Sequence, residues 1–544
     1  MHFKKALIPE YIFFIIILVF ICFVRFRFSD MAMERDEGEY AYAAAEILRG
    51  GFPYLDFYNM KLPGVYYFYA TIFFLFGKSI PAVRFCVLLL NIFNCFFIQK
   101  IAEKWFDERA GWLAAGVYLL AAVGTRSQGL VSNCEHFVLF FFLITLFSLT
   151  RRAYFIAGLS AALCIMMKQQ GAILLGFAFV YFCYEVYINR KNPVAKTTLS
   201  KVFWAIAMGF LIPFAVLLLG IWQKNALVPF QYFVVDYARA YAGLNKPTPF
   251  YFAPFIFAIH QNEWFWKEAI LAMFIGMSYL FYKGKTVFKT PYQPIILVVL
   301  ALFSYLSILP GWYYRPHYFL YVHPALALLT GYSLAWFYSI CQDKALKMVY
   351  MLLLAVSLGT SIYDQFPYIG KYKNSEFVNL QYGYDYFNEM REVGQVLKLN
   401  SQPDDKIGQV ANEPQVNFYA DLKAASGYLY NYPFYEKQRF ATPMLEQFFT
   451  EMDKNQPRWF IKNIADVPWK NDNKQRMQDW VTQFEKAYIL RGVVFGKNEW
   501  EKTVKWNVSK IDSPQGWEPA FLIFERGDSA TVKALILENK STKN

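Results

Sequence analysis

An acid-rich and then lysine-bearing segment, MERDEGEYAYAAAEILRGGFPYLDFYNMKLPG from Met33 to Gly64, falls directly after the first long apolar run of this chain. Asp36, Glu37 and Lys61 are thereby set beside a bilayer surface. A carboxylate held there is suited to take a proton from an acceptor hydroxyl, a contribution of about 10²–10⁴-fold in rate. The same residues also have a structural use. Tyr40, Ala44, Ile47 and Leu48 share one helical face, so Asp36, with Glu39 three residues on, can cap a short interfacial helix that Gly50 and Gly51 stop. The two roles are compatible.

A further acid, Glu135, opens a long apolar stretch in Ser132-Asn133-Cys134-Glu135-His136. Ser132 and Glu135 have the spacing of a helix cap. An ionisable group at the mouth of an apolar helix is nonetheless costly unless it faces a polar cavity, which makes it a site candidate. Lys61, Arg84, Arg126, Lys168 and Arg315 collect at the same ends of the apolar runs. Arg126 reads as a cation snorkelling to water. The others, opposite two acids, suit a bound phosphate ester. Each charge-assisted hydrogen bond to it contributes about 1.5–3 kcal/mol, and the cations would stabilise charge developing on a leaving phosphate.

The stretch Gly311-Trp312-Tyr313-Tyr314-Arg315-Pro316-His317-Tyr318 crowds donors and rings into one loop. An aromatic belt accounts for its tryptophan and tyrosines, but not for Arg315 and His317. With five histidines and no close pair among them, a histidine-built metal site is not expected. A divalent cation held by the carboxylates of Asp36 and Glu135 stays open as a cofactor, and no other is implied.

These groups need a membrane scaffold to position them. The chain is 56% hydrophobic and 20% aromatic, beyond the usual apolar content of soluble domains, so it reads as an integral membrane protein. Lys4 and Lys5 precede the first apolar run, which has no small-residue cleavage site and reads as a retained anchor. Windows of about 20 apolar residues predict eleven spans. They lie near 8–28, 82–103, 110–127, 134–150, 153–168, 170–189, 202–222, 268–283, 293–309, 318–340 and 347–366.

The clusters Lys100/Lys104/Arg109, Arg151/Arg152, Arg190/Lys191/Lys196, Lys283/Lys285/Lys289 and Lys344/Lys347 then share one parity, which the positive-inside rule makes cytoplasmic. That predicts a cytoplasmic N-terminus and loops 29–81 and 223–267 outside, in an inner (plasma) membrane protein. Arg25 and Arg27 run against the rule. The net charge of +13 is scattered over loops and does not suggest a nucleic-acid partner.

The expected domains are a membrane part, 1–366, and an extracytoplasmic α/β domain, 367–544. In the latter, 384–397, 446–454 and 473–486 pattern as helices, and 406–411, 458–464 and 520–524 as strands. All seven cysteines lie in or beside the spans, so no disulfide framework supports that tail. The loop 223–267, with Tyr232, Tyr237, Tyr241, Tyr251 and Trp264, is long enough to serve as a lid or substrate groove, or simply to pack at the interface.

Taken in order, Asp36-Glu37-x-x-Tyr40, Pro53-x-x-Asp56, Lys61-Leu62-Pro63-Gly64, Ala82-Val83-Arg84, Glu135, Lys168-Gln169-Gln170-Gly171 and Arg315 to Tyr318 resemble bacterial GT-C membrane glycosyltransferases. The resemblance is to the branch of protein O-mannosyltransferases and aminoarabinose transferases, and it covers about residues 1–370. It implies transfer of a sugar, with inversion, from a polyprenyl-phosphate carrier to an extracytoplasmic lipid, polysaccharide or protein.

By match, Asp36 takes the base position with Glu37 beside it, Glu135 is the second acid, and Lys61 binds the carrier phosphate. Arg84, Lys168, Arg315, His317 and Tyr318 are carried over as cavity and phosphate contacts. Lys61-Leu62-Pro63 departs from relatives that carry a double proline there, which keeps the lysine but blurs the subfamily. A polymerase or ligase using lipid-linked glycans would share this donor logic. A transporter of lipid-linked sugars would show an inverted repeat, and none is evident.

Overall fold

The computed structural model describes residues 7–188, 193–245, 292–340, 343–366, 370–383, 385–465 and 469–527. The expected span at 268–283, together with Tyr251 and Trp264, lies outside these residues. Every other expected span is helical: α1 (Ile8–Arg27), α4 (Ile80–Trp105), α5 (Glu108–Ala121), α6 (Cys134–Thr150), α7 (Tyr154–Met167), α8 (Gly171–Ile188), α9 (Pro193–Gln223), and the helices Tyr292–Leu306, His323–Ile340 and Lys344–Phe366.

Among the described residues, four helices are long and apolar enough to cross a bilayer by length and composition: Ile8–Arg27, Ile80–Trp105, Gly171–Ile188 and Ser200–Gln223. Helix length therefore supports four crossings, where apolar windows suggest eleven. Cys134–Thr150, Tyr154–Met167 and Ile295–Leu306 are apolar helices of 10–17 residues, shorter than that measure requires.

The bundle wears its apolar residues outward as an integral membrane protein does. On α1, Ile12, Ile16, Val19, Phe23 and Phe26 form an exposed stripe, while Ile17, Ile21 and Val24 are buried. α7 and α9 pack backbone to backbone at Gly158 and Gly209: a methyl group on the first would collide with Ile206 O, and one on the second with Phe155 O.

Between α1 and α4 lie two shorter helices that build the site, α2 (Arg35–Leu48) and α3 (Gly64–Phe76). The start of α2 differs from the expected Asp36/Glu39 cap. Glu34 is the N-cap, and its Oε1 accepts from Glu37 N at 3.0 Å while Glu37 Oε2 accepts from Glu34 N at 3.4 Å. The capping box thus begins two residues earlier, which frees Asp36 and Glu39 for other partners. Gly50, at φ +92°, takes the left-handed turn that ends the helix.

α2 is buried all round from Glu37 to Glu46, because a C-terminal sheet region covers its far side. A side chain at Gly38 would come within 2.5 Å of Gln415 Cβ. That region is a six-stranded mixed sheet of order β2-β1-β3-β6-β4-β5. Its strands are β1 (Lys406–Val410), β2 (Lys423–Ala424), β3 (Trp459–Asn463), β4 (Tyr488–Gly496), β5 (Lys502–Trp506) and β6 (Glu518–Arg526).

β2, β1 and β3 run parallel, and β6, β4 and β5 continue antiparallel. Alternate side chains of β3 serve two cores. Trp459 and Ile461 pack with Met390, Val393 and Leu397 of helix Phe387–Leu399, whereas Phe460 packs with Phe448 and Met452 of helix Ala441–Asn455 and with Val481 of helix Asn473–Phe484. The β4–β5 hairpin is not legible in the sequence, because Arg491, Gly492 and Lys505 interrupt the apolar alternation.

Candidate active site

Lys61 stands just before α3, held by local turns. Asn59 Oδ1 accepts from its backbone N at 3.1 Å, and its carbonyl accepts from Tyr54 OH at 2.9 Å. Its ammonium group donates to Asp36 Oδ1 at 3.0 Å and Glu39 Oε2 at 2.7 Å, and lies 4.6 Å from the centroid of the Tyr40 ring. Asp36, Glu39 and Tyr40 can all reach it because positions three and four apart share a helix face. Tyr66 OH donates to the other oxygen of Glu39.

Glu135 sits in the first turn of α6, where the helix dipole favours a negative charge. Asn133 is the N-cap and makes no side-chain cap bond, so the expected Ser132 cap does not form. Lys168, in extended conformation at the C-terminus of α7, reaches Glu135 Oε1 at 2.5 Å and lies 4.2 Å from the Tyr318 ring centroid. The neighbouring Gln169 donates to Met60 O at 2.8 Å, tying this turn to the Lys61 segment.

His317, on the short 3-10 helix Pro316–Val322, closes the ring of groups. Its Nε2 is 4.0 Å from Asp36 Oδ2, and its Nδ1 is 3.1 Å from Gln128 Oε1. Burial pushes the imidazole down to about 4, against the opposing pull of Glu135 and Asp36. Burial alone would raise Asp36, yet Lys61, His317 and Lys168 outweigh it and hold the carboxyl below its usual range. Since the imidazole is uncharged at neutral pH, the two lysines do most of this. Asp36 and Glu135 are thus electrostatic neighbours of one histidine and one lysine.

Glu37 and Arg84 are turned elsewhere. Arg84 Nη2 donates to Glu37 Oε2 at 2.8 Å, with both side chains 2% exposed, and Ser132 N donates to Glu37 Oε1 at 2.5 Å. Arg84 also donates to Leu130 O. Arg25, expected to be a topological anomaly, is buried and spends its guanidinium on three carbonyls, Leu130, Ala122 and Gly129 at 3.1, 2.9 and 2.6 Å. Arg25, Arg84 and Glu37 together clamp the loop that leads into Glu135. Arg315 and Arg126 are exposed, with the Arg315 guanidinium 5.6 Å from the Tyr313 ring centroid.

Two contributors escape sequence reasoning. Glu39 reads from the sequence only as a capping residue, although its spacing from Asp36 and Tyr40 puts it on their face. Tyr430 comes from the sheet region, and its OH donates to Arg35 O at 3.0 Å and Asp36 Oδ1 at 3.4 Å. No local signal marks it. The described part of the 223–267 loop is helical, and its rings pack in a gallery: Tyr241 stacks on Tyr313 at 5.2 Å and meets Tyr432 at 5.8 Å.

Among the described residues no three His, Cys, Asp or Glu side chains group as metal ligands. Asp36 and Glu39 already share Lys61, and Glu135 has Lys168. A divalent cation at Asp36 and Glu135 would have to displace both ammonium groups, so this donor set fits one poorly.

Residues 61–222 match the sequence profile of the dolichyl-phosphate-mannose-protein mannosyltransferases. The whole architecture is similar to that of ArnT from Cupriavidus metallidurans bound to undecaprenyl phosphate, with TM-score 0.58 at 15% identity over 93% of this chain and 99% of that one. The apo state of the same protein gives TM-score 0.59 at 14% identity over 94% and 100%. No curated protein matches the sequence. The chain therefore has the GT-C fold of these structures, and over residues 61–222 it carries the sequence profile of a membrane glycosyltransferase.

Proposed function

We propose that the protein transfers a sugar, with inversion, from a polyprenyl-phosphate donor to a lipid, polysaccharide or protein acceptor outside the cytoplasm, with Asp36 as the general base. The observation that carries this reading is the convergence of Asp36 and Glu135, a hundred residues apart, on one group of Lys61, Lys168, His317 and Tyr318. Sugar nucleotides are cytoplasmic, so an acid site on the opposite face calls for a lipid-carried sugar. The positive-inside reading puts the N-terminus in the cytoplasm and the sheet region, as the extracytoplasmic domain 367–544, on the site's side.

In this mechanism the donor phosphate takes up Lys61, with Lys168 and Arg315 as further cations. The acceptor hydroxyl gives its proton to Asp36 as its oxygen bonds to the anomeric carbon, while the bond from that carbon to the phosphate oxygen breaks. Polyprenyl phosphate leaves, and the lysines stabilise its new charge. A carboxylate held low by Lys61 is a weak base. Donor binding corrects this by drawing the ammonium toward phosphate, so that Asp36 becomes basic only once the donor is present. Glu37 and Arg84 act as positioning residues that hold the Glu135 loop, a change from the direct contact the resemblance suggests.

Mass analysis of envelope glycans and carrier lipids from cells carrying wild-type or Asp36→Asn protein tests this. The variant should accumulate an undischarged lipid-linked sugar. An unchanged lipid pool and glycan profile would reject the assignment.

A further inference from the structure

The sheet region has a feature that the transfer site does not use. β1 and β3 are parallel neighbours, but the chain leaving β1 turns to β2 at one edge, whereas the chain leaving β3 crosses to β4 on the opposite side. In open α/β sheets, neighbouring strands whose exits diverge leave a crevice at their carboxyl ends, and ligands bind there. A cavity of about 290 Å³ lies at this place.

Its wall holds Asn412 just past β1, Lys462 near the end of β3, and Asn431, Tyr435, Trp469 and Gln478 from the segments around them. Asn431 is the telling residue. It is 5% exposed, and neither its Nδ2 nor its Oδ1 has a hydrogen-bond partner. Buried carboxamides are ordinarily satisfied, so one left open on a cavity wall marks a place for a ligand's polar groups.

The lining also defines the ligand. Lys462 is matched by Glu485 at 2.7 Å, so its charge is already used, which argues against a phosphate or other anion as occupant. Lys474, also on the wall, is engaged within the protein, and the remaining polar lining is amides that both donate and accept and the Thr482 hydroxyl, beside two rings, Tyr435 and Trp469, in edge-to-face contact at 5.6 Å. Sugars suit such a wall, having hydroxyls that donate and accept and C–H faces that lie against rings. The crevice is also linked to the transfer site through the chain itself, because Asn431 lines it while the preceding residue, Tyr430, reaches Asp36.

We propose that this crevice is a neutral saccharide site that grips a glycan portion of the acceptor while its reacting hydroxyl lies at Asp36. The acceptor role rests on the glycosyltransferase reading; the saccharide site itself does not. The test uses the full-length protein in detergent, titrated calorimetrically and by tryptophan fluorescence with maltotriose, mannotriose and chitotriose, and with inorganic phosphate as the charged probe.

At least one trisaccharide should bind saturably, about tenfold more weakly to Trp469→Ala and Gln478→Ala, and equally well to Asp36→Asn. Asn431→Leu, which removes two unpartnered buried groups at similar volume, should unfold at a higher temperature than wild type while losing binding. Absence of trisaccharide binding, equal binding by the wall variants, or preferential binding of phosphate would each overturn the proposal. If Asp36→Asn abolishes transfer while no saccharide binds, the crevice proposal falls and the transferase reading stands. Saccharide binding lost in the wall variants, beside full transfer by Asp36→Asn, would leave the crevice standing and remove Asp36 as the base.

Discussion

Asp36 and Glu37 are adjacent in the chain and paired with cations of similar strength, yet they occupy opposite environments. The Asp36 side chain is 31% exposed beside Lys61 at 14%, whereas the Glu37 and Arg84 side chains are each 2% exposed. One residue of helix rotation, about 100°, separates a carboxylate that can meet substrate from one sealed in the scaffold. Access therefore separates the acid proposed to react from its neighbour, where charge and proximity in sequence do not. The buried pair fixes a loop, and the open pair has a free edge at which a phosphate can compete for the lysine.

The largest expected effect lies on the open side. Asp36→Asn keeps size but removes the proposed base, so kcat should fall by about 10²–10⁴-fold with only a small drop in unfolding temperature, because Lys61 keeps its pair with Glu39. Glu37→Gln should do the opposite, retaining most of its per-molecule activity while losing stability. Single-turnover rates alongside thermal unfolding of both variants check this, and comparable loss of kcat in folded Glu37→Gln would place both acids in the chemistry.

On the sealed side, Arg84→Ala leaves Glu37 buried without its cation. Removing one member of a buried pair typically costs about 3–5 kcal/mol, enough to reduce the yield of folded protein sharply. The double variant Arg84→Met with Glu37→Leu, which removes both charges, should recover much of that loss in denaturation experiments. If the single variant is as stable as wild type, the clamp on the Glu135 loop is not structural.

A smaller effect concerns pH. Asp36 has its folded pKa below the ordinary value of 3.8, so its ionised pair with Lys61 stabilises the fold at any pH above about 4 and is lost only as pH falls through the depressed folded value. The acid limb of kcat/KM, which reports the free enzyme, should accordingly lie below pH 4. With Lys61→Met the limb of any residual activity should move to higher pH. His317, held near 4, is neutral through the physiological range, so His317→Gln should leave the profile between pH 6 and 8 flat. A titration near 6.5 that vanishes with His317 would contradict this.

Much of the scaffold is legible in the sequence because apolar windows and helix periodicity are local signals. The expected spans within the described residues from Ile8 to Phe366 are helical, and Lys406–Val410 and Trp459–Asn463 are readable as short apolar strands, whereas the apolar helix α3 lies where hydropathy windows leave an external loop. Asp36, Lys61, Glu135 and Lys168 stand out as ions beside apolar runs. The missing parts depend on distant chain segments. Glu39 looks like a cap until Lys61 is seen to reach it, and Tyr430 contributes only because the sheet region folds back over α2. Arg25 violates a statistical rule for the reason that it bonds carbonyls about a hundred residues away.

The smallest expected effect is at the rim. Arg315 is exposed, lies over Tyr313 and lacks the buried setting of Lys61 and Lys168. An exposed cation is screened by salt and gains little from an opposite charge, so Arg315→Ala should raise the donor KM only a few-fold with kcat unchanged, and less at 0.5 M than at 0.05 M salt. Lys61→Ala under the same conditions should lose kcat at both salt concentrations, because its ammonium is held against the buried Glu39 as well as Asp36. A large, salt-independent loss in Arg315→Ala would mean that the loop closes over the donor phosphate during turnover and moves Arg315 from the rim into the sheltered set.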